Sequence, residues 1–159
     1  MMTIEQVRAL CLEVAEKHGF DISGVPISVN KRFTRTLGRV TTSDLEGILK
    51  IEFSGHHLAD DTDEAIRDTV LHELAHAFVF LESGSGHGHD ATFKAMCARL
   101  GTVEDMAHAK KELARNHYKY NLYCTKCGKW LGGRSRRCPV VETPEDFFSK
   151  CCTAGLRVE

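Results

Sequence analysis

A chain of 159 residues, 42% apolar and 27% charged, suits one ordinary domain, or a domain of about 110 residues with a small appendage. No run approaches the roughly 20 apolar residues that span a bilayer, and MMTIEQVRAL places no basic stretch ahead of an apolar one. Both features argue against a membrane partner and a secreted product, and predict a soluble intracellular protein, cytoplasmic or associated with a nucleoid or nucleus. The net charge of −1 conceals a split: residues 1–108 hold ten basic against seventeen acidic side chains, residues 109–159 eleven against five. That is the pattern of an acidic body with a basic tail that meets a polyanion, or, more plainly, of a solvated lysine-rich surface.

In chain order, Thr3 to His18 reads as an amphipathic helix with Ile4, Val7, Leu10, Cys11 and Val14 on one face and Gly19 ending it. Cys11 there is a small buried hydrophobe. Ile27 to Phe33 alternates apolar and polar residues as a half-buried strand does. Arg35 to Thr41 reads as a hairpin connection or second strand, and Gly47 to Phe53 as the next strand. The connections are too short for helical crossovers, so antiparallel pairing is expected. Asp61 and Glu64 resemble a capping box with Asp61 in the cap position, opening the strongest helix of the chain from about Thr62 to Leu81. The SGSGHG stretch, Ser83 to Gly88, stops that helix, and Asp90 caps the next one, with Phe93, Met96, Cys97 and Leu100 on its apolar face. A further helix, polar on most faces, is expected over Val103 to His117, and a domain boundary near Lys119–Asn121.

The chemistry concentrates in the long helix. His72-Glu73-Leu74-Ala75-His76 is HExxH, and residues four apart share a helix face, so both imidazoles reach one ion. Glu73 is angularly offset from the pair, unsuited as a ligand but placed to act as base toward a water that the ion acidifies. A helix that happens to carry two histidines is the bland alternative. The apolar residues around the motif, Val70 to Phe80, argue against it, because imidazoles and a carboxylate buried without partners are unfavourable. A catalytic zinc takes three protein ligands and keeps one position open. The following loop offers His87 and His89. His89 directly precedes the Asp90-capped helix and is tied down by Phe93, whereas His87 sits between glycines.

Five of seven cysteines, Cys124, Cys127, Cys138, Cys151 and Cys152, crowd the last 36 residues. In a chain with no visible signal this favours a metal over disulfides. Cys124-Thr125-Lys126-Cys127-Gly128 forms a good first knuckle, Gly128 permitting the tight turn. Lys126, Lys129, Trp130, Arg134, Arg136 and Arg137 give this segment a basic and aromatic composition suited to phosphate contact and base stacking. A cysteine-rich tail without metal is the alternative.

VLHELAHAFVF followed by GHDATFKAM resembles the SprT-like, or Spartan-type, metallopeptidases, whose pattern is HExxH, a short loop, then Gly-His-x-x-x-aromatic and a helix. Gly88-His89-Asp90-Ala91-Thr92-Phe93 fits it and selects His89 as third ligand. NKRFTRTLGRV and ILKIEFSGHHL are similar to the family's strand region. The resemblance covers roughly residues 3–120. It implies an α+β fold: an HExxH zincin-like metallopeptidase domain of helices and a small antiparallel sheet (1–119), then a small zinc ribbon (120–159). It implies one catalytic Zn2+ at His72, His76 and His89 with Glu73 as catalytic base, and one structural Zn2+ in the ribbon. The family's second knuckle reads aromatic-x-Cys-x-x-Cys; here Cys152 takes its second position and Ser149 replaces its first cysteine. The ribbon set is then Cys124, Cys127 and Cys152 with Cys138 or Cys151, and Cys138 is preferred because ligation by adjacent Cys151 and Cys152 is sterically awkward. The expected function is a monomeric endopeptidase cutting proteins near or crosslinked to DNA, with Arg134, Arg136, Arg137 and Trp130 contacting the nucleic acid. The alternatives are a DNA- or protein-binding adaptor with a weak or silent peptidase site, and an amidohydrolase using the same water activation.

Overall fold

The computed structural model describes residues 1–102, 115 and 118–159. Chain contacts divide it into two units, Met1–Lys110 and Lys111–Glu159. The helix expected over Val103 to His117 falls, apart from Arg115, outside the described residues. Among the described residues, no helix is long and apolar enough to cross a membrane. The elements are of mixed α+β class.

The first unit opens with α1 (Ile4–Lys17), started by a capping box in which Thr3 Oγ1 accepts from Gln6 N and Gln6 returns to Thr3 N. Its buried stripe is Val7, Leu10, Cys11, Val14 and Ala15. Burial pushes the Cys11 thiol up to about 12, so Cys11 packs as a hydrophobe, as its place in the stripe suggests. Three strands follow: β1 (Ile27–Asn30), β2 (Gly38–Ser43) and β3 (Gly47–Ser54), in the order β1-β3-β2.

The antiparallel expectation holds for β2 with β3 and fails for β1, which pairs with β3 in parallel, Ile27 opposite Ile51 and Asn30 opposite Ser54. The reason is the strand order. β2 lies one place removed from β1, and β3, turning back from β2 through residues 44–46, fills the gap between them. A strand thereby does what a crossover helix does elsewhere. Within the β2–β3 ladder the register shifts between Thr41 and Thr42.

A short helix α2 (Gly55–Asp60) precedes the long α3 (Asp63–Ser83). The cap of α3 is Thr62, whose hydroxyl accepts from Ala65 N at 3.2 Å. Asp61 is not that cap: it terminates α2 and pairs with His57. Gly84 ends α3 in the left-handed region at φ 71. Then α4 (Ala91–Leu100) begins at Asp90, which accepts from Phe93 N at 3.0 Å. The core shared by α1, the sheet, α3 and α4 includes Ile51, Phe53, Ile66, Leu74, Phe78 and Phe93, all essentially inaccessible. Burying each such side chain stabilises the unit by about 1.5–3 kcal/mol.

In the second unit, β4 (Tyr120–Cys124), β5 (Trp130–Arg134) and β6 (Leu156–Val158) form an antiparallel sheet in the order β5-β4-β6. Gly133 is required by space: a Cβ there would lie 2.1 Å from the Tyr118 ring. Gly128, at φ 70, makes the turn between β4 and β5.

Candidate metal centres

The helical spacing of His72 and His76 places their rings 5.1 Å apart, and α4's approach brings the ring of His89 to 5.0 Å from His72 and 5.2 Å from His76. One ligand nitrogen from each lies within 4.8 Å of the others, and His76 Nε2 to His89 Nε2 is 3.3 Å. Phe93 fixes the set. Its fully buried ring stacks on His76 (4.1 Å) and His89 (4.6 Å) and meets His72 edge-on at 5.1 Å. The i,i+4 relation from His89 to Phe93 in the sequence becomes a physical clamp.

Glu73 lies beside this group, 8% exposed, its side chain against the backbone of Gly38 on β2. The histidines and Glu73 open onto a cleft of about 260 Å³, walled on the other side by Gly38, Arg39, Val40 and Thr42. Its outer wall is β2, an edge strand that pairs only with β3 among the described residues.

His87 also lines the cleft but does not join the three-nitrogen group. Its Nδ1 donates to Asp90 Oδ2 at 2.6 Å, which holds the Asp90 carboxyl below its usual range, with help from the backbone N–H of Phe93. Asp90 thus caps α4 and restrains His87 at once.

In the second unit Cys124, Cys127, Cys151 and Cys152 each place Sγ within 4.8 Å of the others. This corrects the expected ligand set: Cys138 is not in the group, and Cys151 is. Cys138 instead begins the short helix Pro139–Glu142, its carbonyl accepting from Val141 N (2.8 Å) and Glu142 N (3.0 Å). Adjacent Cys151 and Cys152 can both face the site because the chain reverses tightly around them. Ser149 N donates to the Ala154 carbonyl at 2.7 Å, Thr153 N to the Ser149 carbonyl at 2.9 Å, and Thr153 takes φ 51. The buried Ser149 hydroxyl accepts from Ala154 N and lies 3.2 Å from Cys124 Sγ. Chiefly through that contact, the Cys124 thiol falls to about 6, while Cys152, bonded to Cys127 and desolvated, is pushed up to about 12. A cation bound among the four sulfurs would favour their ionised form.

The SprT-like family profile matches residues 8–117, about two thirds of the chain. The chain belongs to the SprT-like family. Proteins named "Protein SprT-like" from two strains of Staphylococcus epidermidis are each 32% identical to it over 97 residues, 60% of this chain. The match spans 61% of each relative's own length. The SprT-like match contains His72, Glu73, His76 and His89 and ends before Cys124, so the cysteine group stands on its geometry alone.

The basic residues of the second unit are placed unevenly. Arg134, Arg136 and Arg137 are exposed, Arg134 bonding the Gly133 carbonyl and Arg137 the Tyr120 hydroxyl, which it holds below the usual tyrosine range. Trp130 is half-buried, its indole N–H donating to Asn121 Oδ1 at 2.9 Å. The most open phenylalanine among the described residues of this unit is Phe148, 68% exposed, which sequence reasoning did not single out.

His57 was also missed. It is fully buried; its Nδ1 lies 2.5 Å from Asp61 Oδ2 and its Nε2 2.8 Å from Thr69 Oγ1, whose hydroxyl lies 3.1 Å from the Ala65 carbonyl that accepts from it. Thr69 stands one turn before Glu73, so this chain of bonds ties α2 to the start of the site helix. The only signal was the i,i+4 spacing of His57 and Asp61.

Proposed function

We propose that this SprT-like protein is a zinc-dependent endopeptidase acting on proteins bound or crosslinked to DNA, its peptidase part spanning 1–119 and a zinc-ribbon part 120–159. The observation that carries the peptidase reading is the grouping of three imidazoles and the Glu73 carboxylate in one cleft walled by an edge strand.

The histidine donor set fits zinc. Nitrogens roughly 2.0–2.1 Å from one tetrahedral zinc lie about 3.3–3.4 Å apart, and His76 Nε2 to His89 Nε2 is 3.3 Å. Three histidines lining the cleft would supply three protein ligands, the number of a catalytic rather than a structural site. Zinc would supply Lewis acidity there, lowering the pKa of a water and polarising a carbonyl. Glu73, next to His72 but outside the ligand group, takes the attacking water's proton and passes it to the leaving amine. Phe93 keeps the imidazoles in register. β2, paired with a strand on one side alone among the described residues, can offer its other edge to an extended peptide, which favours a polypeptide over a small amide.

The four thiols suit a structural zinc: Cys127 and Cys151 Sγ are 3.6 Å apart, near the roughly 3.8 Å expected of two thiolates on one tetrahedral zinc. A three-stranded unit of this size buries too little to fold without such a tie. The DNA-linked part rests on the surplus of basic residues after 108 and the exposure of Arg134, Arg136 and Arg137. The experiment is to incubate the protein with a DNA-bound protein, with and without DNA, beside Glu73→Gln. Cleavage by wild type and none by the variant is the expected result; equal cleavage would remove Glu73 from the chemistry.

A further inference from the structure

We propose that Gly38 is a positioning residue: the side chain it lacks is the slot in which the Glu73 carboxylate lies. A Cβ at position 38 would come 2.6 Å from Glu73 Cγ, 3.0 Å from Cδ and 3.1 Å from Oε1. The three nearest atoms all belong to one side chain. Carbon–carbon contacts settle near 3.5–4.0 Å, so an added methyl overlaps Glu73 by about 1 Å.

Neither backbone can retreat. Position 38 pairs with Phe53 in the β2–β3 ladder, and the preceding Leu37 is buried with its carbonyl accepting from Ser54 N at 2.8 Å. Glu73 is fixed in the middle of α3, between His72 and Leu74, both buried. What must give is the Glu73 side chain, and moving it changes where the carboxylate stands relative to His72, His76 and His89.

The glycine is not there for its backbone. Gly38 is absent from the positive-φ glycines, so an L-residue fits its conformation. A strand glycine with no conformational demand weakens the strand and marks a close approach by another group. Here that group is the carboxylate of the HExxH motif. A sequence reading that stops at HExxH therefore misses a residue 35 positions upstream that gives the base its place.

The inference rests on the reading of Glu73 as the base, and a double-mutant cycle separates the two. Gly38→Ala is made in the wild-type and Glu73→Ala backgrounds, each loaded with zinc. Against wild type, the methyl should lower Tm, or block folding. In Glu73→Ala, where Cγ, Cδ and Oε1 are gone, the same substitution should raise Tm, because alanine suits a strand better than glycine. A misplacement of about 1 Å near reacting groups costs on the order of 100-fold in rate. Gly38→Ala should therefore lose about that much kcat on a peptide substrate, with KM and zinc content unchanged. A Tm loss of equal size in both backgrounds, or an undiminished kcat, overturns the proposal. If wild type hydrolyses nothing, the peptidase reading falls, while the sign of the two Tm shifts still decides whether Gly38 houses Glu73.

Discussion

The ring of Phe93 lies nearly parallel to that of His76, 4.1 Å between centroids and 20° between planes. It stacks on His89 in the same way, so one apolar side chain from α4 sets the pose of an imidazole on α3 and of another in the loop just before α4. Phe93→Ala should cost about 3–5 kcal/mol as a core truncation, and should also weaken zinc binding at the histidine centre. Phe93→Leu keeps much of the volume and none of the stacking, so it should lose metal affinity with less loss of stability. Chelator competition alongside thermal unfolding separates the two effects; equal metal affinity in all three proteins would mean the histidines need no such support.

His89→Ala should lower affinity for the catalytic metal far more than His87→Ala. His89 presents a nitrogen to the group, while His87 is committed through Nδ1 to Asp90. Zinc titration of both variants gives the ranking, and a reversed order would take His89 out of the site.

The protein should carry two metal ions per chain, one for each ligand group. Replacing Cys124, Cys127, Cys151 or Cys152 by Ser should remove one of them, and Cys138→Ser should remove none. Elemental analysis across this series checks the set, with Cys151 against Cys138 as the deciding pair. Ser149→Cys would set a thiol beside Cys124, and in that background Cys151→Ser should keep its metal.

His57→Ala should destabilise the first unit by roughly 1–3 kcal/mol for the unpaired hydrogen-bonding groups, with a further loss from the cavity. The buried Thr69 hydroxyl and the Asp61 carboxylate both lose their hydrogen-bond partner. Denaturant unfolding of His57→Ala beside the exposed control Leu45→Ala measures it; a difference near zero would mean the network contributes nothing net.

The tail should bind DNA with little sequence preference and a steep dependence on salt. Removing Arg134 and Arg136 should weaken binding and flatten the log–log salt slope by roughly 0.9 for each duplex phosphate left without its cationic partner. Phe148→Ala should weaken single-stranded binding more than Trp130→Ala if an open ring is the stacking platform. Affinities at several salt concentrations decide it, and no salt-sensitive binding of either form would leave the basic tail a solvated surface.

What the sequence made legible was periodic. His72, Glu73 and His76 follow from helical spacing, and His89 from its place before a capped helix with Phe93 four residues on. The parts it hid depend on chain reversals and on partners distant along the chain. Cys151 joins Cys152 because Thr153 takes a left-handed conformation, which a threonine does not announce. β1 is parallel to β3 because a later strand slides between β1 and β2, and short connections alone suggest the opposite. Gly38 shows its role only when Glu73 is seen lying against it. Trp130, chosen by residue type, proved half-buried and bonded to Asn121, whereas Phe148 stands in the open.

The insertion of β3 between its neighbours also orders the assembly of the sheet in time. β2 and β3 close across residues 44–46, whereas β1 reaches β3 only by pairing Ile27 with Ile51. Short loops close fastest, so the hairpin forms early and β1 docks on its far edge afterwards. Gly38 sits on the hairpin, on the side away from β1. The wall of the cleft is therefore built before the sheet is complete, and a lesion in β1 should slow the last step of folding while leaving the Gly38 edge already formed.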